Sequence, residues 1–204
     1  MALISNGTTI FNGGSISSGI GGSMVFIKKL TASSSSTLTF HHGTSGVILD
    51  STFKEYLFTF KNIHTSGNDI KFFMQGNAVG GSGFNETITS SYFRALHKED
   101  DSATSLTYEA GQDQAQGTSS HELIDALGSD NDQCVGGSMT LYNPGSTTFV
   151  KHFTSICSNT HSGDYAHTVF TSGYFNTTTA IDEIQFKPGS GNFGVGDICL
   201  YGIN

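Results

Sequence analysis

Tryptophan is absent from this chain, proline occurs twice, and only 13% of the residues are charged. An ordinary soluble domain carries about 25% charged residues, and Glu and Lys on helical surfaces supply much of that. The deficit argues for an extended, turn-rich protein. Positive charge is scarcest: nine Lys and Arg stand against 17 Asp and Glu, a formal charge of −8. Nothing in that balance draws in a phosphate backbone, so nucleic acid is excluded as a non-specific partner. No apolar run approaches the roughly 18 residues of a spanning helix, and no basic segment followed by an apolar stretch opens the chain. We therefore expect a protein folded inside a cell without signal-directed export, with no membrane partner. Cysteine is scarce and odd in number. Cys134, Cys157 and Cys199 cannot all pair within one chain, and the last two sit in apolar strand-like runs. Buried free thiols and a reducing compartment are the expectation.

The residues that are abundant are glycine, with 26 copies, and phenylalanine, with 16. Disordered chains are poor in aromatics, so this is a folded protein with a Phe-rich core. A chain of 204 residues suits one domain, burying roughly 70% of its unfolded surface without a staple. Residues 1–23 read as a glycine-rich arm or edge segment, with Gly13-Gly14 and Gly21-Gly22 as turn signals, and 24–204 as the domain itself.

Within 24–204 the dominant period is two. Met24 to Leu30 and Thr37 to His41 read as a hairpin around Ser33 to Ser36. Tyr56, Phe58 and Phe60 fall on one face of a strand, and Ile70, Phe72 and Met74 repeat the pattern after Thr65-Ser66-Gly67-Asn68, which predicts a second antiparallel pair. Residues 85–97 and 121–127 fit either a helical turn or a strand. Residues 98–120 form a long polar loop with one strand candidate at Leu106 to Tyr108, and such loops often carry recognition. Strands follow at 139–142, 147–157, 165–175, 181–187 and 198–203. Turns every 8 to 12 residues without βα alternation predict an all-β, antiparallel β-sandwich, jelly-roll-like, with roughly eight to ten strands and at most one short helix. Its core is assigned to Phe58, Phe60, Phe72, Phe153, Ile184, Phe186, Leu200 and Ile203. Lys151 conflicts with this, because it shares strand parity with Phe149, Phe153 and Cys157. Either a bulge shifts the register there or the lysine stem snorkels, and Lys151→Asp is expected to change little if the side chain points outward.

No constellation announces chemistry. Gly189-Ser190-Gly191-Asn192-Phe193-Gly194 satisfies a dinucleotide-loop pattern, but a strand follows it where that loop needs a helix, so it reads as a hairpin connection. His41 and His42 are adjacent and would point to opposite faces, while His152 and His167 lie on neighbouring strands and invite a meeting without a completing carboxylate. Asp130 and Asp132 read as an Asx turn. Neither a nucleophile elbow nor a zinc-protease signature occurs, and no cofactor is implied. Arg94, the sole arginine, reads as an anchor beneath a loop. The sequons at Asn6, Asn85 and Asn176 read as unmodified. Tyr92, Tyr108 and Tyr142 can stack on sugars, with packing under loops the favoured use.

The C-terminal segments His161-Ser162-Gly163-Asp164-Tyr165, Gly173-Tyr174-Phe175-Asn176-Thr177-Thr178, Ala180-Ile181-Asp182-Glu183-Ile184-Gln185-Phe186 and Leu200-Tyr201-Gly202-Ile203 carry a family likeness. They resemble structural proteins of tailed bacteriophages, notably marine ones, whose domains end in a similar "Ile-x-x-Ile-x-Phe … Ser-Gly-Asn … Leu-Tyr-Gly-Ile" stretch. The likeness covers about the last 45 residues and, more loosely, Phe58 to Ile63. It implies a jelly-roll-like, non-enzymatic virion component, assembled in the host cytoplasm and exposed as a capsid decoration protein or small tail appendage. It transfers no active-site residue. Implied partners are copies of itself, a trimer being the common state of such parts, and other virion proteins such as the major capsid protein or tail proteins. The first alternative is a carbohydrate-binding host-recognition module of a tail fibre or fibre tip, taking a host surface glycan on the loops 98–120 and 158–164; Tyr108, Tyr142, His161 and Asp164 are the candidate residues of ligand or partner loops. The second is a glycan-degrading enzyme, since any two of the 17 acids can in principle meet in the fold.

Overall fold

The computed structural model describes residues 2–5, 8–12, 15–16 and 23–204. Asn6 and the turn glycines Gly13, Gly14, Gly21 and Gly22 lie outside the described residues. β1 (Ala2–Ser5), β2 (Thr8–Asn12) and β3 (Ser15–Ile16) form their own three-stranded antiparallel sheet. The remaining strands are β4 (Met24–Thr31), β5 (Leu38–His41), β6 (Glu55–Thr65), β7 (Ile70–Ala78), β8 (Ile88–Lys98), β9 (Thr104–Tyr108), β10 (His121–Leu127), β11 (Val135–Tyr142), β12 (Lys151–His161), β13 (Tyr165–Phe175), β14 (Ile181–Pro188) and β15 (Phe193–Ile203). There is no helix among the described residues, so 85–97 and 121–127 resolve as strands. The all-β, antiparallel, sandwich-like expectation holds, but the large sheet has 12 strands, more than the eight to ten expected. β8 and β10, the two segments whose sequence fits either a helical turn or a strand, supply the excess.

These strands form two layers. One runs β4-β15-β6-β11-β12-β13-β8-β9 and the other β10-β7-β14-β5, and the ladder joins them only at Leu127 opposite His161. The apolar faces meet between the layers. Phe186 of β14 packs edge-on against Phe58 and Phe60 of β6 at centroid separations of 5.3 Å each, and Phe60 meets Phe72 of β7 at 5.0 Å. Such pairs add about 0.5–1.5 kcal/mol each beyond the area they bury. Phe58, Phe60, Phe72, Phe153, Ile184, Phe186 and Leu200 are all buried, as assigned.

Three pairing expectations are corrected by this arrangement. β4 pairs with β15 and β5 with β14, so they are not a hairpin; β6 pairs with β11 and β15, and β7 with β10 and β14, so they are not partners either. The glycine-rich stretch 189–194 likewise joins strands of different layers. In each case the turn carries the chain across the core, and alternation marks which face is apolar without saying whether the next strand lies beside it or opposite.

Ile203 is the core assignment that fails: it is only half-buried, on the outward parity of β15 with Tyr201. Inward at that end point Leu200 and Gly202, where a Cβ on Gly202 would lie 2.2 Å from the Phe53 ring, so only glycine leaves room for it. Lys151 settles its conflict in an unforeseen way. The β12–β13 register is unbroken from Lys151–Phe175 to His161–Tyr165, so no bulge exists, and Lys151 is fully buried. Its ammonium donates to the carbonyls of Phe149 and Thr177 at 3.1 Å each, while Phe149 lies before the strand and is exposed. Burial lowers the Lys151 pKa. A real parity break occurs instead in β6, where Lys61 and Asn62 are both exposed between buried Phe60 and Ile63 and Asn62 takes a φ of 51°, the mark of a bulge.

Candidate functional site

Along β11, β12, β13, β8 and β9, inward residues mix apolar side chains with polar and ionisable ones such as Lys151, Asn159, His167 and Arg94, whereas outward residues are hydroxyl-bearing, aromatic, aliphatic, small or histidine. None of the outward-facing residues of these five strands is Asp, Glu, Lys or Arg. The unbroken registers line these side chains into rows. Ile156, Phe170, Phe93 and Tyr108 stand side by side across four strands, with Phe93 and Phe170 stacked at 5.1 Å and 8°. Beside them run Thr154, Ser172 and Ser91, in which Ser91 Oγ and Ser172 Oγ share a hydrogen bond of 2.9 Å and Thr154 Oγ1 shares one of 3.3 Å with Tyr142 Oη. The next row holds His152, Tyr174 and Thr89, the two rings 5.6 Å apart. A trough of about 340 Å³ opens along these last two rows. Gly173 forms part of its floor, since a Cβ there would lie 2.7 Å from Phe153 Cζ and 2.6 Å from the Thr89 carbonyl. A wide neutral face with exposed rings is what a large partner surface needs, because little charge has to be desolvated when it is covered.

Beneath this face lies an ionisable network. Arg94 points inward from β8, with Nε 2.8 Å from Glu109 Oε1 and Nη1 3.2 Å from Asp125 Oδ2, so the anchor role expected of it holds, between carboxylates. His167 Nε2 lies 3.5 Å from the other Asp125 oxygen. Glu122 of β10 is held by Lys71 at 2.6 Å. Burial pushes the Glu122 carboxyl above its ordinary value in spite of Lys71, and it also raises the Tyr92 phenol, helped by the Asp125 and Glu122 charges. Burial pushes both His121 and His167 down to about 4; for His167 the Arg94 and His161 charges act in the same direction and Asp125 against them. Glu122, itself buried, borders a cleft of about 380 Å³ under the segment 111–120, beside the more exposed Lys71. Among the described residues no group of three or more His, Cys, Asp or Glu is placed to hold a metal ion.

The four residues assigned to ligand or partner loops do not converge on one site. Tyr142 is on the outer face where β11 pairs with the start of β12, and Tyr108 is 55% exposed on the edge strand β9, bonded through its hydroxyl to Asp113. His161 and Asp164 sit at the opposite end of β12, in its turn to β13. His161 Nδ1 accepts the Gly163 N–H at 2.9 Å, and the Asp164 carbonyl accepts the Glu99 N–H at 3.0 Å. This last hydrogen bond joins the loops 98–120 and 158–164, and Glu99 borders a trough of about 420 Å³ with Ser158, Asn159 and Thr160. Tyr92 is fully buried.

His152 and His167 do not meet: one is outward opposite Tyr174, the other inward opposite Asn159. His41 and His42 part as expected, toward Glu183 at 3.0 Å and Asp50 at 3.9 Å. Cys157 and Cys199 are buried free thiols, and burial pushes Cys157 up to about 12. The neutral face itself was missed in the sequence, although its signal is there: every second residue of 152–160 and of 166–174 is uncharged.

Comparison with protein families, with curated proteins and with solved structures finds no match to this chain.

Proposed function

We propose that this chain is a non-enzymatic structural component of a bacteriophage virion, exposed on the particle exterior as a capsid decoration protein or small tail appendage and assembled with copies of itself and other virion proteins. The observation that carries the assembly role is the neutral face of five strands, on which a chain of net charge −8 places no Asp, Glu, Lys or Arg. Virion membership rests on the resemblance of the closing strands to phage structural proteins. A glycan-degrading role would need two free carboxylates facing one cleft; Asp113 and Glu122 border the same cleft under 111–120, but Asp113 accepts the Tyr108 hydroxyl and Glu122 is held by Lys71. Negative-stain imaging of virions labelled with an antibody to this protein tests the reading. Label at a fixed place on heads or tails is the expected result, and unlabelled particles would count against it.

The trough favours one second reading, a carbohydrate-binding module. Aromatic faces beside neutral hydroxyls suit a sugar ring, and His152, Tyr174, Thr154 and Ser172 supply both. Binding of the isolated protein to a glycan array, lost in Tyr174→Ala, would favour this reading, and retention only on assembled capsids would reject it.

A further inference from the structure

The eight-stranded layer ends at β9, and the way that edge is cut specifies what pairs with it. Among the described residues β9 hydrogen-bonds to β8 alone, and all five of its residues are exposed, Leu106 at 76%. The Lys98 N–H donates to the Ala103 carbonyl and the Glu109 N–H to the Tyr92 carbonyl, each at 2.9 Å. In an antiparallel ladder, backbone groups alternate between the two sides of a strand. Residues 103, 105, 107 and 109 therefore spend their N–H and C=O groups on β8, and Thr104, Leu106 and Tyr108 turn theirs to open solvent. Those three positions are symmetric about Leu106.

We propose that β9 is a self-pairing edge: two copies of this chain join antiparallel through β9 about a two-fold axis passing beside Leu106. Leu106 then exchanges both backbone hydrogen bonds with Leu106 of the second copy, and Thr104 pairs reciprocally with Tyr108 on either side. A strand whose open groups are arranged symmetrically fits its own copy in register with no group left over. The usual devices that prevent such pairing are missing. Thr104–Tyr108 contains no Lys, no other charge, no proline, and its register with β8 is unbroken. Two acidic chains can therefore meet at this strand without placing charge against charge along it. The side chains agree, since Leu106 and Tyr108 stand on the outer face and the joined layers extend the row of Phe170, Phe93 and Tyr108 into one neutral surface. The contact is small, so association is reversible and concentration-dependent, in the micromolar range.

This inference stands apart from the virion reading, because it concerns the isolated chain. Sedimentation of the full chain over a concentration series, with amide hydrogen exchange at its two ends, is the test. Expected is a monomer–dimer equilibrium in which rising concentration slows exchange at Thr104, Leu106 and Tyr108 and leaves Ser105 and Thr107 unchanged. Leu106→Pro removes one open-edge N–H without touching the β8 ladder, and Leu106→Lys keeps the backbone while adding a charge at the axis. Each is expected to weaken dimerisation at least tenfold with the thermal transition retained. If the proline variant fails to fold, the lysine variant decides. A chain that stays monomeric at millimolar concentration would overturn the proposal. So would a dimer or trimer that survives Leu106→Lys or leaves the Leu106 amide unprotected.

Discussion

The two ends of the sandwich interior are held together by different physics. Under β5, β6, β7 and β14 the space is filled by phenylalanine rings, with Phe40, Phe58, Phe60 and Phe72 all within 6.3 Å of Phe186. Under β8, β10 and β13 it holds Arg94, Asp125, His167, Glu122 and Tyr92. The first end gains from apolar burial, which is indifferent to pH. The second spends much of its Coulomb attraction on desolvation and depends on every partner being present. The rings are fully buried while Arg94 and Asp125 keep partial exposure, so the two ends differ in solvent access as well as in chemistry. The contrast also explains the outer surface: charges that would ordinarily lie outside β8 and β13 are instead turned inward, where they pair, and the outside is left neutral.

The largest effect is expected at the ring cluster. Phe186→Ala removes the side chain that touches four other rings and should cost about 3–5 kcal/mol. Denaturant titration checks it, and an unchanged midpoint would mean that the cluster is not packed as described. Lys151→Asp comes next, at about 3 kcal/mol, because it points a buried carboxylate at the Phe149 and Thr177 carbonyls. A neutral result in the same titration would return Lys151 to an outward position.

Arg94→Ala, at the ionisable end, is expected to cost about 2–3 kcal/mol, since Glu109 and Asp125 lose their counter-charge while Arg94 itself keeps partial access to water. The double variant with Asp125→Asn should recover part of that loss, and strict additivity would show that the pair is not coupled.

The smallest expected effect per group sharpens the contrast through pH. His121 and His167 titrate near 4 in the folded chain against 6.5 in the unfolded one. Between those values the unfolded state binds more protons, so stability falls as pH is lowered from about 7 toward 4 and levels off below. The loss by pH 5 is up to about 2 kcal/mol per histidine. Glu122 acts the other way, since its raised pKa makes the folded state the better proton binder. Melting temperatures from pH 7 to 4.5 measure the slope, and His167→Gln should flatten it where Phe186→Ala does not.

Much of this was legible in the residues. Alternation in 55–60, 70–74 and 181–187 marks side chains that are buried, because a strand's period of two survives in any sandwich. Which strands pair was not legible, since Phe60 and Phe72 would alternate identically as neighbours in one sheet or as opposites across two. Ile203 failed because an apolar residue at a strand end says nothing about which layer face it joins. Lys151 failed because two backbone carbonyls, supplied by residues 2 and 26 positions away, hold its charge inside. Residues 85–97 and 121–127 could not be assigned between helix and strand, since Ile88, Tyr92 and Leu96 fit either period and His121–Leu127 is almost wholly buried without alternation.

Hydroxyl-radical footprinting of that face tests the assembly role most directly. Ile156, Phe170 and Tyr108 are expected to be labelled readily in the isolated chain and strongly protected in purified virions, with Val195, exposed elsewhere on the same layer, serving as the reference. Equal labelling of the three residues in both samples would contradict the account.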